Sequence, residues 1–279
     1  MDSQRGDAAV SFLSGDGALA MERVLILGGT TEARLLGERL AKRGDLDVTL
    51  SLAGRTAAPV PHAVPVRVGG FGGAEGLADY LIGERIDALI DATHPYATAI
   101  SENAIAAARK TDVAFVALRR PAWSRVDGDR WTEVDDTAAA VRALGEPPRR
   151  VLVALGRNDL AAFTSAPQHF YLFRSVDPID PPLALPHARY ITARGPFSDA
   201  HDRALMTEHR IDAVISKNSG GSAAYGKIAA ARKLGIETVM IRRRVVADAP
   251  VMDAPVVATI DEAVAWLDHA LTSATARGV

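Results

Sequence analysis

The stretch VLILGGTTEARLLGERLAKRG, residues 24–44, sets the fold expected for the whole chain. It opens with a continuous apolar run that ends in two glycines, which is typical of a strand buried on both faces of a parallel sheet. After the glycines, apolar side chains recur three or four positions apart until Gly44, as they do along an amphipathic helix that a glycine ends. The stretch therefore predicts a strand, a glycine turn and a helix.

The same alternation continues downstream. The segments 47–55, 65–73 and 87–95 are apolar and strand-like, and the pattern over 73–86 is helical. Strands that alternate with helices imply a parallel sheet with helices on both faces. We therefore expect an α/β protein with a doubly wound architecture.

The sequence also contains an internal repeat. The segment IDALID at 86–91 returns as IDAVIS at 211–216, and IAAARK at 105–110 returns unchanged at 228–233. Each copy is followed by a similar tail, an acidic helix start with apolar spacing, at 132–144 and 258–267. We therefore expect two Rossmann-like parallel-sheet domains, related by this repeat, with a ligand cleft between them.

Proline-rich sequence around Pro147 and Pro148 separates the two copies. We expect a disordered N-terminal extension over 1–22, a first domain over 23–148 and a second domain over 149–279. The apolar stretch near the N-terminus is too short for the core of a secretory signal, which favours a cytoplasmic protein.

The composition excludes several classes of function. The 279 residues are 48% hydrophobic and 24% charged, with a formal net charge of −2. Because the charges balance and no apolar run reaches about 18 residues, we expect no binding to nucleic acid and no membrane association. The absence of cysteine excludes disulfides, thiolate metal sites and cysteine nucleophiles. The seven histidines lack the spacing of a metal hydrolase, so we expect no metal site.

The turn GGTTEA, residues 28–33, is the first candidate ligand site. Gly28 and Gly29 follow a strand and precede a helix, so a pyrophosphate can approach backbone N–H groups at the helix N-terminus. The turn lacks the full GxGxxG pattern because Thr30 stands at the second glycine. The alternative is a plain glycine turn in which Thr30 or Thr31 caps the helix.

The end of the second strand distinguishes the two nicotinamide cofactors. An acidic residue there binds the ribose of NAD, whereas the 2′-phosphate of NADP requires cationic and hydroxyl donors. Asp45 and Asp47 lie at the amino end of this strand, and Ser51 and Arg55 lie at its carboxyl end. This arrangement favours NADPH over NADH, with a solvated loop arginine as the alternative role for Arg55.

Two further loops follow predicted strands. In ATHPYA, residues 92–97, Thr93 is expected to cap the next helix and Pro95 to lie in its first turn, which leaves His94 at the sheet edge. In the second copy, the loop 216–227 is rich in donors suited to anionic groups. The alternatives are an exposed or structural histidine and a capped helix with incidental surface cations. The cations expected to ring the cleft are Arg157, Arg194, Lys217 and Lys227.

Taken together, these segments resemble the precorrin-6A reductases of cobalamin biosynthesis, from residue 23 to residue 268. One departure lies in the second copy, where Arg243-Arg244 replaces the Arg-Pro that the family commonly has and that the first copy keeps at Arg120-Pro121. The motifs that carry the resemblance are LGGTTEAR (27–34), SLAGR (51–55), DATHPYA (91–97), GR (156–157), RGPF (194–197) and SKNSGG (216–221), with Tyr225 and Lys227.

The resemblance implies an oxidoreductase that reduces the macrocycle of precorrin-6A to precorrin-6B by hydride transfer from NADPH to a conjugated C=N-type bond. NADPH is expected on the first domain and the polycarboxylate tetrapyrrole on the second, with transient contacts to neighbouring enzymes of the pathway. The residues expected on the cofactor side are Gly28, Gly29, Thr30, Thr31, Glu32, Ser51, Arg55, Thr93, His94, Pro95 and Tyr96. Those expected on the substrate side are Arg157, Arg194, Gly195, Lys217, Asn218, Ser219, Gly220, Gly221 and Lys227.

Several questions stay open at this level. The proton donor is His94, Lys217, Tyr225 or bound water, and we favour a metal-free over a cobalt-containing substrate. A short-chain dehydrogenase is excluded because no tyrosine has a lysine four residues later. A noncatalytic NADPH-binding sensor or a two-lobed ligand-binding protein is the alternative function.

Overall fold

The computed structural model of the chain describes residues 21–54, 61–243 and 254–277, so most of the expected extension over 1–22 lies outside the described residues. Within these ranges, strands in two sheets alternate with helices. The strands are β1 (Glu22–Leu27), β2 (Leu46–Leu52), β3 (Val66–Val68), β4 (Ala88–Asp91), β5 (Ala114–Leu118), β6 (Trp131–Val134), β7 (Arg150–Ala154), β8 (Phe170–Ser175), β9 (Ala188–Thr192), β10 (Ala213–Lys217), β11 (Glu237–Ile241) and β12 (Val256–Val257). The helices are α1 (Thr31–Leu40), α2 (Gly73–Gly83), α3 (Thr98–Thr111), α4 (Thr137–Ala143), α5 (Asp199–Glu208), α6 (Gly226–Leu234) and α7 (Ile260–Arg277), with 3₁₀ turns at Arg157–Asp159 and Ala161–Ser165.

Both sheets have the strand order of a dinucleotide-binding fold. The first runs β3-β2-β1-β4-β5-β12 across its width, and the second runs β9-β8-β7-β10-β11-β6. The paired strands are parallel in both. The order reverses between β1 and β4 and between β7 and β10, and such sheets bind ligands at this reversal point. The predicted fold class, two related α/β domains, is confirmed.

The two domains exchange their last strands. Strand β6 follows β5 along the chain, yet it pairs with β11 in the second sheet. Strand β12 follows β11, yet it pairs with β5 in the first sheet. The next helix goes with each strand, since α4 places Ala140 in the second core and α7 places Ala263 in the first. The chain therefore crosses between the domains once after β5 and once after β11.

This exchange corrects the predicted domain boundary at 148/149. Elements β6 and α4 lie before that point but join the second sheet, and β12 and α7 lie after it but join the first. The repeat shows which segments are alike. It carries no information about which of two equivalent sheet edges a final strand joins, and the boundary could not be placed from it.

Apolar side chains cover both faces of each sheet, as the continuous apolar run of β1 predicted. In the first sheet, Val24 and Ile26 pack toward α1 and α7, while Leu25 and Leu27 pack toward α2 and α3. All four side chains are buried. Each such burial stabilises the fold by roughly 1.5–3 kcal/mol, so the central strand is a rigid base for the loop that follows it.

Strand β3 is shorter than the predicted segment 65–73. The backbone leaves the extended conformation because Gly69, Gly72 and Gly73 have φ angles of +123°, +84° and +92°. Helix α2 accordingly begins at the last of these glycines. Over the described ranges, none of the helices is both long and apolar enough to cross a membrane.

Candidate functional site

Loops from the carboxyl ends of both sheets meet at the boundary between the domains. The loop after β4 carries Tyr96, the segment after β5 carries Arg120, and both contact the loop 218–221 after β10. Arg243, after β11, reaches the same place from the second domain. Parallel sheets bind ligands at the carboxyl ends of their strands, and in both sheets these ends face the domain boundary.

The turn after β1 combines an open backbone with a helix cap. Gly29 has a φ of +111°, and no atom of the described residues lies within 4 Å of the position that its Cβ would take. The Thr30 hydroxyl accepts the N–H of Ala33 at 3.1 Å and donates to the carbonyl of Ala92 at 2.8 Å. Helix α1 begins at Thr31. The cap that the sequence left as an alternative is present, and it ties the turn to the end of β4.

Gly28 sits against the second strand. A Cβ there would lie 2.6 Å from Cδ1 of Leu50, and the N–H of Gly28 donates to the carbonyl of Ser51 at 2.9 Å. Ser51 is buried at the carboxyl end of β2. The turn is therefore held closely on its inner side, while its outer side at Gly29 leaves space for a phosphate at the start of α1.

A cation that sequence reasoning missed lies beside Ser51. Arg67 is its partner in the register of β2 and β3. The guanidinium stacks 3.8 Å above the ring of Phe71 and donates to the carbonyl of Gly69 at 2.6 Å. The predicted cation, Arg55, lies outside the described residues. The available signal was an arginine between two valines just before a glycine-rich turn.

Asp91 organises the loop after β4. Its buried carboxylate accepts the N–H and the hydroxyl of Thr93 at 3.0 and 2.7 Å and forms an ion pair with Arg119. The predictions that Thr93 caps the next helix and that Pro95 lies in its first turn were wrong. Because the carboxylate holds the Thr93 hydroxyl, the chain makes a turn at Pro95, and α3 begins only at Thr98.

His94 is a neutral imidazole at the domain boundary. Its Nδ1 accepts the N–H of Tyr96 at 3.3 Å, which leaves the proton on Nε2. Burial and then the positive charges of Arg120, Lys217 and Arg243 lower the pKa of His94 to about 3. The imidazolium form is therefore absent at neutral pH.

Tyr96 extends from the first domain into the second. Its hydroxyl donates to the carbonyl of Ile241 at 2.6 Å and accepts the N–H of Asn218 at 2.9 Å. Its ring packs on the second core, with Nζ of Lys217 5.1 Å from the ring centre. Burial raises the pKa of Tyr96 to about 12, so the hydroxyl keeps its proton. The sequence had placed Tyr96 on the cofactor side, but its hydroxyl bonds to the substrate-side loop.

The loop 218–221 is fixed by hydrogen bonds to the first crossing segment, the part of the chain between β5 and β6. The side-chain amide of Asn218 accepts the N–H of Trp123 at 2.8 Å and donates to its carbonyl at 2.9 Å. The φ angles of Gly220 and Gly221 are +66° and +74°, and a Cβ on Gly220 would overlap the carbonyl oxygen of Pro121. The amide group of Asn218, predicted as a ligand donor, is thus engaged in holding the backbone.

Two arginines at the crossings link this loop to the helix α1 that follows the glycine turn. Arg120 forms an ion pair with Glu32, in the first turn of α1, and donates to the carbonyl of Ser219 at 2.7 Å. Arg243 donates to the same carbonyl at 2.8 Å and to the carbonyl of Arg120 at 2.7 Å. Arg243 keeps the arginine of the Arg-Pro pattern, and Arg244, which replaces its proline, lies outside the described residues.

Other predicted substrate-side residues lie at the carboxyl edge of the second sheet. Lys217 ends β10 and pairs with Asp159 at 2.6 Å. Arg157 begins the 3₁₀ turn after β7, and Arg194 and Gly195 follow β9; all three residues are exposed. These residues agree with the expected cationic edge.

Lys227 was predicted to lie on the wall of the cleft, but it is buried. It is 4% exposed, donates to the carbonyl of Ala224 at 2.7 Å and stands 4.9 Å from the ring of Trp123. Burial, with a smaller effect of Arg174, lowers the pKa of Lys227 to about 7. The cause of the difference is that α6 begins at Gly226, so the lysine lies in its buried first turn.

A groove of about 630 Å³ opens beside Gly226, the residue before this lysine. It is lined by the aromatic rings of Trp123, Phe197 and Tyr225 and by small residues of the glycine loop and α6. The hydroxyl of Tyr225 bonds to Arg232, so its side chain is engaged on the groove side rather than at the domain boundary. The groove had no signature in the sequence, because its walls come from three separated segments.

Comparisons with known proteins extend across both sheets. A family model described as precorrin-6x reductase CbiJ/CobK matches residues 23–268. A precorrin-6A reductase of Sinorhizobium sp is 53% identical over 92% of this chain and 97% of its own length. A cobalt-precorrin-6A reductase of Priestia megaterium is 29% identical over 79% of this chain and 90% of its own length. A solved structure of CobK precorrin-6A reductase superposes with a TM-score of 0.84 and 46% identity, covering 90% of this chain and 97% of that chain.

Proposed function

The chain belongs to the precorrin-6x reductase family CbiJ/CobK, and from this membership we propose that it reduces precorrin-6A with a hydride from NADPH, bound between its two domains. Membership makes it an oxidoreductase of cobalamin biosynthesis that reduces the macrocycle, and it supports this function over a noncatalytic sensor or ligand-binding protein. The cofactor, the substrate-binding residues and a cytoplasmic location are parts of the proposal.

The contact between Thr30 and Ala92 carries the cofactor assignment. This 2.8 Å hydrogen bond joins the glycine turn after β1 to the loop after β4, at the reversal point of the first sheet. A dinucleotide bound across that point would place its pyrophosphate at Gly29 and the start of α1. Its nicotinamide would then extend past Thr93 toward His94.

The end of β2 supports NADPH over NADH. Ser51 offers a hydroxyl there, and Arg67 presents a cation beside it, while Asp45 and Asp47 lie at the opposite end of the strand. A 2′-phosphate gains from such donors, whereas a ribose diol gains from an acceptor carboxylate. Arg55 follows the same strand and is proposed as a further phosphate ligand.

When bound, NADPH supplies the hydride, and the protein positions the two planar ligands and provides a proton to the neighbouring atom of the reduced double bond. Bound water remains a candidate beside the three side chains His94, Tyr225 and Lys217. Neutral His94 can donate a hydrogen bond, but its N–H is too weakly acidic to transfer a proton. The Tyr225 hydroxyl is bonded to Arg232. Lys217, paired with Asp159 and adjacent to Tyr96, is the ammonium at the boundary, and we favour it as the proton donor.

The second domain is proposed to hold the tetrapyrrole. Lys217, Arg157 and Arg194 lie at or just beyond the carboxyl ends of its strands, where they attract the carboxylates of the substrate. The metal-free substrate is favoured because the 53% identical relative carries its name, whereas the relative named for the cobalt form is only 29% identical.

Anaerobic spectrophotometry tests the function. Purified protein with precorrin-6A and NADPH should lose the NADPH absorbance and change the tetrapyrrole spectrum in a 1:1 ratio. NADH and cobalt-precorrin-6A serve as parallel controls and should react more slowly. If NADPH binds and neither signal changes, the substrate assignment is wrong.

Two substitutions test the proposed cofactor side and the proposed substrate side separately. Arg55→Glu should weaken NADPH binding much more than NADH binding, with Arg203→Glu on exposed α5 as the charge control. Lys217→Ala should impair turnover while NADPH affinity stays near that of the unmodified protein. Loss of NADPH binding in Lys217→Ala would contradict the division of ligands between the domains.

A further inference from the structure

We propose that the groove lined by Trp123, Phe197 and Tyr225 is a subsite that takes one ring of the tetrapyrrole together with its carboxylate side chain. The inference rests on the proposed function. It adds a site that binds part of the macrocycle at a distance from the reacting bond. Its support comes from the shape of the groove, its position beside the cofactor turn and the lysine next to it in the chain.

The shape of the groove suits a flat conjugated ring. The rings of Trp123 and Tyr225 lie 5.6 Å apart at an interplanar angle of 57°, and Phe197 is the third aromatic residue of the lining. Between them the wall is made of small residues, including Gly221 and Gly226. A Cβ on Gly226 would overlap the carbonyl oxygen of Phe197, so close packing at this position leaves no room for a side chain. Aromatic side chains next to a wall of small residues favour stacking by a planar ligand.

The position of the groove indicates a ligand that also reaches the domain boundary. Gly221 lines the groove, and its missing Cβ would lie 2.7 Å from Cδ of Arg120 and 3.1 Å from Oε1 of Glu32. Glu32 belongs to the first turn of α1, where the cofactor pyrophosphate is proposed to bind. One residue therefore separates the groove from the cofactor side, and a macrocycle is wide enough to occupy both.

A lysine next to the groove in the chain favours a ligand with an acidic side chain. Lys227 follows the groove residue Gly226, and its ammonium donates to a backbone carbonyl rather than to a carboxylate. The neighbouring charges are already paired: Asp199, which lines the groove, with Lys233, and Arg174 with Asp202 and Arg232 with Asp129. A carboxylate entering beside Gly226 would thus have Lys227, the next residue along α6, as its counterion.

Blocking the groove from α6 tests the proposal. Ala229 lines the groove on a helix, and Ala229→Phe would fill it without removing any of the hydrogen bonds of the glycine loop. The repeat provides a matched control, because Ala106 occupies the same place in the first copy of IAAARK and is exposed on α3. We expect Ala229→Phe to raise KM for precorrin-6A at least tenfold, with kcat within about twofold and an unchanged Kd for NADPH, and Ala106→Phe to match the unmodified protein.

Fluorescence gives a readout that does not depend on turnover. A tetrapyrrole stacked on Trp123 should quench its emission, and Trp123→Phe should remove most of that quenching while Trp266→Phe, in the first core, retains it. Quenching by NADPH alone would assign the groove to the nucleotide and overturn the proposal.

The charge is tested by Lys227→Met, which keeps the length of the side chain. This variant should weaken tetrapyrrole binding at pH 6.5 and lose less affinity than the unmodified protein when the pH rises from 6.5 to 8. The charged groups that face Lys227 are Arg174 on β8, Asp202 on α5 and Arg120 on the crossing segment, and they are unchanged in this comparison.

The outcomes separate the subsite from the function. Turnover of precorrin-6A with an unchanged KM in Ala229→Phe would overturn the subsite and leave the reductase intact. Absence of both tetrapyrrole binding and turnover in the unmodified protein would overturn both.

Discussion

The hydroxyl of Tyr96 accepts the backbone N–H of Asn218 at 2.9 Å, and this hydrogen bond joins two loops at equivalent places in the repeat. One loop follows β4 of the first sheet and the other follows β10 of the second. The same hydroxyl donates to the carbonyl of Ile241. A single side chain thus couples the loop after β4 to the loop after β10.

Removing this hydroxyl should slow the reaction without displacing the cofactor. Tyr96→Phe loses two hydrogen bonds that contribute about 1 kcal/mol each, so the domains should spend less time at the productive separation. We expect kcat to fall about tenfold while the Kd for NADPH changes less than threefold. Steady-state kinetics and NADPH fluorescence measure the two quantities.

The control for this change is Tyr80→Phe, which alters a tyrosine of α2 that packs on Phe71 away from the boundary. It should leave kcat unchanged. Small-angle scattering should show a larger radius of gyration for Tyr96→Phe than for Tyr80→Phe. A Tyr96→Phe protein with unchanged kcat and unchanged dimensions would contradict the coupling.

The ion pair between Arg120 and Glu32 should matter for NADPH binding. Glu32 places a negative charge in the first turn of α1, beside the proposed pyrophosphate site, and Arg120 neutralises it. Arg120→Met leaves that carboxylate unpaired, so the Kd for NADPH should rise about tenfold. The double variant Arg120→Met with Glu32→Gln should recover part of this loss. A double variant that binds no better than Arg120→Met would show that the charge of Glu32 is not the cause.

Gly220 should tolerate no side chain. Its φ of +66° is costly for other residues, and a Cβ would overlap the carbonyl oxygen of Pro121. We expect Gly220→Ala to lower the free energy of unfolding by about 3 kcal/mol, measured by urea denaturation. Gly44→Ala is the control, because no atom of the described residues lies within 4 Å of its Cβ position and its φ lies outside the left-handed region. Equal stability of the two variants would contradict the reported backbone conformation.

His94 should make the protein sensitive to acid. Its folded pKa of about 3 lies below the ordinary value of 6.5, so between these pH values the unfolded chain binds a proton that the folded chain does not. This group therefore lowers the free energy of unfolding as the pH falls below about 6.5, and its effect is absent above that value. His94→Gln should show a smaller decrease in urea midpoint between pH 7 and pH 5 than the unmodified protein.

His201→Gln, at an exposed position in the first turn of α5, is the matched control and should keep the original pH dependence. The rate profile should also lack an imidazole ionisation assignable to His94 between pH 6 and 8. A histidine signal from His94 that titrates near pH 6.5 by NMR would refute the buried, neutral assignment.

Local patterns predicted the parts of the site that lie within one strand and its following turn. The apolar run of β1, the glycine turn and the capping by Thr30 involve residues that are close in sequence, so periodicity and turn chemistry are sufficient. The contacts of Tyr96 with Ile241 and of Arg120 with Ser219 join residues from different domains. No local pattern specifies such partners, and these contacts were not predicted.

Burial was the other property that the sequence left undetermined. Lys217 ends β10 and Lys227 comes ten residues later, and the sequence placed both on the wall of the cleft. The burial of Lys227 depends on where α6 begins, and the loop continues to Tyr225 before the helix starts. One lysine thus enters the buried first turn of the helix while the other remains at the boundary.

The exchanged final strands have a consequence for synthesis of the chain on the ribosome. The first sheet receives β12 and the packing of α7 only after residues 256–277 have been translated, when the whole second domain has already emerged. The first sheet, although most of its strands are encoded first, is thus completed last. A premature stop near the carboxyl terminus would damage the half encoded at the beginning of the message and leave its neighbour's sheet whole.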